Sequence, residues 1–283
     1  MVRLGGPVFI STGPEPDPEA LVRVHRTKGF RAAYAPPVRL EQRDLVRDIR
    51  RAFEAADIVM AEVGYWKNPL HLDAQEARTA RQEMLDALAL AEELGALCMV
   101  CNLGSFVADT VRFHSERNFS DDAFDAAVET ARFLIDAVKP TRAFFTYEMF
   151  PFNVNDHPEG VLRLIRAVDR GRFGAHMDLV NLVNCPRAYY DSGAIIRRCT
   201  ELFGDRIVSA HAKDVILEMP SISVLLREVP PGEGNLDYAA YLRCLNELPR
   251  DVPLMMEHMK SENEYDRAAA YIRSVAAKES IPL

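Results

Sequence analysis

Short apolar segments alternate with longer amphipathic segments along the whole chain. The apolar segments are rich in β-branched and aromatic residues, which is typical of buried parallel strands. They predict eight strands, at 8–12, 30–34, 58–63, 97–102, 143–148, 174–178, 207–211 and 252–257. A helical pattern follows each strand, at 18–28, 40–56, 73–94, 120–138, 158–169, 189–203, 236–248 and 262–278. The predicted fold is a single α/β domain over residues 1–283, a (β/α)₈ barrel, with an open doubly wound sheet as the alternative.

The helix predicted at 73–94 carries sequence signals at both of its ends. Asp73 is a suitable N-cap, and Glu76 stands three residues later, at the spacing of a capping box. Gly95 follows the last apolar position and indicates a left-handed C-terminal stop. This helix is therefore the best delimited of the eight.

Four good metal ligands stand near the ends of four successive predicted strands: Glu148, Asp178, His211 and Glu257. All strands of a barrel present the same end to the same rim, so these four side chains are expected to converge. Alone, each carboxylate reads as a helix cap or a rim salt bridge, and the histidine as a core residue. Together, three oxygens and one imidazole suit one divalent ion of the Mn²⁺, Mg²⁺, Co²⁺ or Zn²⁺ kind.

Several motifs around these ligands resemble a known group, the xylose isomerase-like barrel superfamily and its sugar isomerase/epimerase branch. They are His176-Met-Asp178-Leu-Val-Asn181, His211-Ala-Lys213-Asp214, the segment 231–238 and Met256-Glu257-His258. In that branch the equivalent Glu, Asp, His and Glu bind one divalent metal, often Mn²⁺, and the two glutamates also move the proton. The resemblance implies that Glu148 and Glu257 are both metal ligands and catalytic residues, and that Asp178 and His211 are ligands.

The reaction implied by the resemblance is isomerisation or epimerisation of a small polyhydroxylated carbonyl compound. A proton leaves the carbon next to a metal-bound carbonyl, and an enediolate forms. Two departures from the ketose epimerase pattern concern residues that hold substrate oxygens there. Asn181 stands where those enzymes have His, and Leu217 stands where they have Arg.

These departures favour a lyase as the alternative. Such an enzyme would eliminate a group from a 3-oxo sugar or glycoside, as C-glycoside deglycosidases do, or dehydrate a cyclic acid. A non-catalytic metal- or sugar-binding protein is less favoured, because binding alone needs no base on each side of a substrate. An AP endonuclease is also less favoured, because that branch needs extra histidines that 101–105 and Asn181 do not supply.

Five further residues are candidates for substrate binding. Lys213 shares strand parity with His211 and is read as an oxygen holder or as a rim partner of Asp214. His176 lies one layer deeper than Asp178, where barrel packing competes with substrate contact. Asn181 is expected to hold a hydroxyl or to cap its loop. The last two are Trp66, as an apolar wall for a sugar face or a cover for the mouth, and Glu62, at the end of strand three.

Charge and composition limit the partners and the compartment. The formal net charge is −8 and no Lys/Arg run is present, which argues against nucleic acid as a partner. The apolar runs are too short to span a membrane, and the N-terminus lacks the plan of a signal peptide. Five cysteines, an odd number, argue against a disulfide framework. We expect a cytoplasmic enzyme with a small sugar or sugar-derived substrate, and the sequence leaves a homo-oligomeric state open.

Overall fold

Eight parallel strands form a closed barrel, as the sequence predicts. The structure, a computed structural model, describes residues 1–10, 15–108, 114–219 and 222–283. The strands of the barrel are β1 (Val2–Gly5), β2 (Ala32–Tyr34), β3 (Val59–Tyr65), β4 (Cys98–Cys101), β5 (Phe144–Glu148), β6 (Phe173–Met177), β7 (Ile207–Ala212) and β10 (Val252–Met256). Their order around the barrel is β1-β10-β7-β6-β5-β4-β3-β2, so sequence neighbours pair and β10 closes onto β1.

Helices surround the barrel and pack on the outer faces of the strands. They are α1 (Pro18–Thr27), α2 (Arg43–Ala55), α3 (Ala74–Leu94), α4 (Asp121–Val138), α5 (Pro158–Val168), α6 (Pro186–Tyr190), α7 (Ser192–Phe203), α8 (Tyr238–Asn246) and α9 (Glu262–Lys278). Within the described ranges, none of these helices is long and apolar enough to cross a membrane.

The position predicted for the first strand is wrong. The strand is β1, at Val2–Gly5, whereas residues 8–10 are not in a strand and residues 11 and 12 lie outside the described residues. Val2 and Leu4 are buried. A Cβ atom at position 5 would lie 2.4 Å from the Ala32 carbonyl oxygen, so the strand has room only for glycine there. The short Val-Arg-Leu-Gly run ahead of Gly6-Pro7 gives too little apolar periodicity to be recognised as a strand.

Asp73 and Gly95 are confirmed as the caps of the long helix, but the Asp73 N–H donates to His71 Nδ1 rather than to Glu76, so the capping box is not formed. One other helix is divided. The Asp73 carboxylate accepts hydrogen bonds from the backbone N–H groups of Gln75 and Glu76, and Gly95 has φ +70°. The helix predicted at 189–203 is instead two helices, α6 and α7. Asp191 interrupts it and accepts a hydrogen bond from the Ala194 N–H as the N-cap of α7.

The long segment after β7 contains an antiparallel hairpin that the sequence does not predict. It consists of β8 (Asp214–Leu217) and β9 (Leu226–Val229), with Asp214 opposite Val229. The buried carboxylate of Asp214 fixes the base of the hairpin. It accepts backbone hydrogen bonds at 2.8–3.2 Å from four residues, Val215, Gly232, Gly234 and Leu236. The hairpin thereby stands beside the carboxyl end of β7.

Four of the five cysteines are buried in the fold. All five are free thiols, and Cys98, Cys101, Cys199 and Cys244 are buried. Burial raises the pKa values of the Cys98 and Cys101 thiols well above their usual range. Because the thiolate is the reactive form, this pair on β4 is unsuited to redox work.

A partly buried carboxylate on α3 gives a prediction about stability and pH. Glu92 accepts hydrogen bonds from the Thr141 hydroxyl at 2.7 Å and from the backbone N–H groups of Arg142 and Ala143, both at 2.9 Å. Burial opposes ionisation, but these bonds outweigh it and lower the pKa of Glu92 from 4.5 to about 2. Since the folded state favours the charged form, the stabilisation is full above pH 4.5 and is lost as the pH falls towards 2.

We expect Glu92→Gln to lower the free energy of unfolding by about 1–3 kcal/mol at pH 7, and by much less near pH 3. Urea unfolding at both pH values measures the difference. Glu93→Gln, at an exposed position of the same helix, is the matched control. A Glu92→Gln effect that is equally large at pH 3 would contradict the assignment.

Candidate active site

The four predicted ligands meet at the carboxyl end of the barrel. Glu148 is the last residue of β5, Asp178 directly follows β6, His211 lies in β7, and Glu257 directly follows β10. One ligand atom from each residue lies within 4.8 Å of the other three. Glu148, Asp178 and His211 are buried, and the Glu257 side chain is 13% exposed. The convergence predicted from one ligand per strand end is therefore present.

The contacts in this cluster are those of a ligand set rather than of a satisfied hydrogen-bond network. His211 Nδ1 lies 2.9 Å from both Glu148 Oε1 and Glu257 Oε1, and 3.6 Å from Asp178 Oδ2. One ring nitrogen carries at most one proton, so it cannot donate to three carboxylates. Among the described residues, Glu257 Oε1 is also a buried atom without a well-formed hydrogen bond. The cluster is consistent with a divalent metal site.

Lys213 lies inside this cluster. Its side chain is 2% exposed, and Nζ lies 2.5 Å from Asp178 Oδ2 and 2.7 Å from Glu257 Oε1. Burial disfavours the charged amine, but Asp178, Glu257 and Glu148 outweigh this and raise the pKa of Lys213 well above its usual range. Asp214, which the sequence offered as a rim partner for Lys213, instead accepts hydrogen bonds from four backbone N–H groups. Lys213 therefore places a fixed positive charge beside the carboxylates.

The three carboxylates differ in their acidity. Burial raises the pKa of Glu148 above its usual value. Burial has the same tendency at Asp178, but the charges of Lys213 and His211 outweigh it and lower the pKa of Asp178. His211 and Lys213 likewise lower the pKa of Glu257 against the effect of its burial.

A second layer lies below the ligands and orients His211. Glu62 Oε1 is 2.9 Å from His211 Nε2, and Glu62 Oε2 is 2.9 Å from both His176 Nε2 and the Ser209 hydroxyl. With a metal bound, Glu62 would hold the His211 proton on Nε2 and leave Nδ1 free to serve as a ligand. His176 is fully buried, with its ring 4.2 Å from that of His211. It belongs to the barrel interior, the alternative that the sequence left open.

This layer gives a prediction about metal affinity. We expect Glu62→Gln to weaken Mn²⁺ binding about 10–100-fold, because the amide no longer holds the His211 ring in one tautomer and orientation. Calorimetric titration of Mn²⁺ into chelator-treated protein measures the change, and circular dichroism confirms the fold. Glu54→Gln, at an exposed position, is the control. Unchanged affinity in Glu62→Gln would show that the second layer does not tune the site.

A cavity of about 710 Å³ opens above the cluster at the mouth of the barrel. Its lining includes six residues that the sequence singled out: Glu62, Trp66, Glu148, Asn181, Lys213 and Glu257. Asn181 is partly engaged, because its Nδ2 donates to Asp178 Oδ2 at 2.9 Å and to the Met149 carbonyl at 3.0 Å. It therefore orients a predicted ligand as well as facing the cavity.

The cavity also has lining residues that the sequence did not indicate. Strand alternation after Glu257 would turn His258 away from the cavity towards a helix, but β10 ends at Met256 and His258 lines the cavity. His258 has φ +63°, is 60% exposed, and its Nδ1 lies 2.9 Å from Glu228 Oε1. Glu228 reaches the mouth from β9, so only knowledge of the hairpin could have placed it. Other lining residues are Pro7, Tyr34, Ala35, Asn102, Phe150 and Tyr265.

The match to a family model agrees with this fold and site. Residues 23–275 match the family described as xylose isomerase-like TIM barrel. The chain belongs to this family, whose members are mostly metal-dependent enzymes. No curated protein matches the sequence closely enough to count as a relative.

Solved structures with the same fold span several activities. A 3-keto-D-glucoside 4-epimerase from E. coli has 14% identity and a TM-score of 0.68, over 97% of this chain and 100% of that one. A probable 3-DHS dehydratase from Bacillus anthracis has 13% identity and a TM-score of 0.70, over 98% of this chain and 99% of that one. Endonuclease IV from Thermus thermophilus has 14% identity and a TM-score of 0.70, over 98% of this chain and 99% of that one. At these identities the likeness shows the fold alone.

Proposed function

We propose that this protein is a divalent-metal-dependent isomerase or epimerase of a small polyhydroxylated carbonyl compound. The observation that carries the proposal is the meeting of three carboxylates and one imidazole nitrogen at the carboxyl end of the barrel, beneath an open cavity. Two of the carboxylates, those of Glu148 and Glu257, line this cavity and come from two different strands, β5 and β10. The 3-keto-glucoside epimerase among the similar structures agrees with a sugar-derived substrate.

Glu148, Asp178, His211 and Glu257 would hold the metal. Mn²⁺ is our first choice, and Mg²⁺, Co²⁺ and Zn²⁺ also suit this ligand set. A divalent ion at this position acts as a Lewis acid that polarises a carbonyl and makes the neighbouring C–H more acidic. Lys213, fixed beside Asp178 and Glu257, would stabilise negative charge on a substrate oxygen.

The two glutamates would move the proton. One takes it from the carbon beside the carbonyl, and the other returns a proton to the opposite face, which inverts that carbon. Return of the proton to the neighbouring carbon gives isomerisation instead. Glu148 ends β5 and Glu257 directly follows β10, so the two carboxylates would reach a bound substrate from separate strands.

A lyase reaction on a 3-oxo sugar or glycoside is the second candidate. It begins with the same proton abstraction and ends with loss of a substituent, which needs its own proton donor. His258, held by Glu228 at the mouth, is a group of the right kind, and epimerisation between two glutamates does not need it. Asn181 and Leu217 also depart from the ketose epimerase pattern.

Product analysis tests the proposal. The Mn²⁺-loaded protein is incubated with a panel of ketoses and 3-oxo glucosides, and products are identified by NMR. An epimer or isomer supports the first candidate, and release of a fragment supports the second. No conversion of any compound in either group would contradict both.

A further inference from the structure

The two halves of the cavity differ in chemistry, and this difference follows from the strand order. The candidate ligands come from β5, β6, β7 and β10, which are consecutive around the barrel. The ends of β1, β2 and β3, on the other side, contribute Pro7, Tyr34, Ala35 and Trp66, which we call the aromatic wall. The cavity thus has a charged half and, apart from the Glu62 carboxylate that His176 and His211 engage, an apolar half.

The aromatic wall offers ring and aliphatic surface rather than hydrogen-bonding groups. The Tyr34 hydroxyl donates to the Met256 carbonyl at 3.3 Å, so it is engaged within the protein. Across the mouth, the Tyr265 hydroxyl accepts from the Met259 N–H, also at 3.3 Å. Sugar hydroxyls need partners when they leave water, so this surface can stack only on an apolar ring face, and an aromatic ring presents such faces without hydroxyl groups at its edge.

Trp66 is held in place on this wall. A Cβ atom at Gly64 would lie 2.8 Å from the indole Nε1 and 3.1 Å from the adjoining ring carbon, so the ring lies directly against the backbone there. Yet Trp66 remains 45% exposed, an unfavourable state for the largest apolar side chain. An exposed, pinned ring that lines a cavity is typical of a surface that stacks on a ligand.

The size of the cavity is consistent with a ligand larger than one sugar. Pockets of roughly 300–1,000 Å³ hold ligands of several rings, and this one has about 710 Å³. A monosaccharide at the charged half would leave the aromatic wall in contact with water. A substituent extending from the sugar would cover it.

We propose that the aromatic wall binds a planar apolar substituent of the substrate, so that the preferred substrate is an oxidised glycoside with an aromatic aglycone rather than a free monosaccharide. The inference rests on the proposed function and names the substrate class of that same site. Trp66 supplies the stacking surface, and Gly64 allows its ring to lie flat. The carbonyl-bearing sugar faces Lys213 and the carboxylates.

A pair of ligands differing only in the aglycone tests the inference. Methyl and phenyl 3-oxo-β-D-glucopyranosides are titrated into the Mn²⁺-loaded protein by calorimetry. We expect the phenyl compound to bind about tenfold more tightly. Trp66 is the only tryptophan of the chain, so its fluorescence should respond to the phenyl compound and report contact at the wall.

Variants locate the effect. Trp66→Ala should remove most of the preference for the phenyl compound while leaving the affinity for the methyl compound within about twofold, and Trp66→Phe should retain much of it. Phe133→Ala is the matched control, because Phe133 is a similarly exposed aromatic residue (51%) on α4. Equal affinity for the two compounds, or a preference that survives Trp66→Ala, would overturn the inference.

The outcome is separable from that of the proposed function. Turnover of a ketose or of the methyl compound without any phenyl preference would leave the proposed function intact and reject the aromatic wall. Absence of binding and of turnover for every compound would reject both.

Discussion

Asp178→Ala is expected to abolish Mn²⁺ binding, with a loss of affinity of more than about 100-fold. Asp178 is 1% exposed and its Oδ2 faces both Lys213 Nζ and His211 Nδ1. The substitution removes one of four converging ligands and leaves the buried Lys213 ammonium group with one carboxylate fewer to balance its charge beside the metal. Calorimetry on chelator-treated protein measures the affinity, and the shift of melting temperature with added Mn²⁺ gives an independent reading.

Two controls separate loss of a ligand from general damage. Glu228→Gln removes a carboxylate that lies 3.5 Å from Lys213 but outside the four-residue cluster, so Mn²⁺ affinity should change by less than about threefold. Asp178→Asn keeps an amide oxygen at the ligand position, so it should retain more of the affinity than Asp178→Ala. If Asp178→Ala binds Mn²⁺ as the unmodified protein does, the metal centre is misassigned.

Glu148→Gln and Glu257→Gln are each expected to reduce turnover by about 10²–10⁴ while metal is still bound. Each amide keeps an oxygen at the position of the carboxylate but can no longer accept a proton, and loss of general acid–base catalysis has this magnitude. Steady-state rates, measured with whichever substrate the product panel identifies, give the turnover, and Mn²⁺ titration confirms that the site is filled.

Glu129→Gln, on the exposed face of α4, is the matched control and should leave turnover unchanged. Near-full activity in both active-site variants, with metal bound, would eliminate the two-glutamate mechanism.

The barrel and the four-residue cluster could be predicted because both follow from local periodicity. Each ligand stands at the end of an apolar run, and a parallel barrel brings all such ends to one rim. Lys213 was placed by the same reasoning, since side chains two residues apart on a strand share a face. The structure has Lys213 beside Asp178 and Glu257, as the parity with His211 indicates.

Features that depend on distant contacts could not be predicted. Glu62 and His211 are 149 residues apart, and nothing local to β3 shows that its carboxylate crosses the barrel to a histidine on β7. The hairpin of β8 and β9 depends on hydrogen bonds to the buried Asp214 carboxylate from residues about twenty positions away. Glu228 and His258 entered the site only through this hairpin and through the positive φ of His258.

The first strand was predicted at the wrong place because a nearby segment is more apolar than the strand itself. Residues 8–12 are more apolar and β-branched than Val2–Gly5, yet it is Val2–Gly5 that pairs with β10 and β2. The close approach of Gly5 to the Ala32 carbonyl is what fits this segment into the barrel. Closure of the barrel depends on such contacts of β1 with its two neighbours, β10 and β2, which the sequence of β1 alone does not record.

The most direct measurement is deuterium incorporation from D₂O at the carbon beside the substrate carbonyl. We predict that the Mn²⁺-loaded protein exchanges this proton, detected by NMR, in at least one ketose or 3-oxo glucoside, whether or not elimination follows. Chelation should stop the exchange, Mn²⁺ should restore it, and Asp178→Ala should show none. Exchange that continues at the same rate in chelator-treated protein and in Asp178→Ala would contradict a metal-dependent proton transfer at this site.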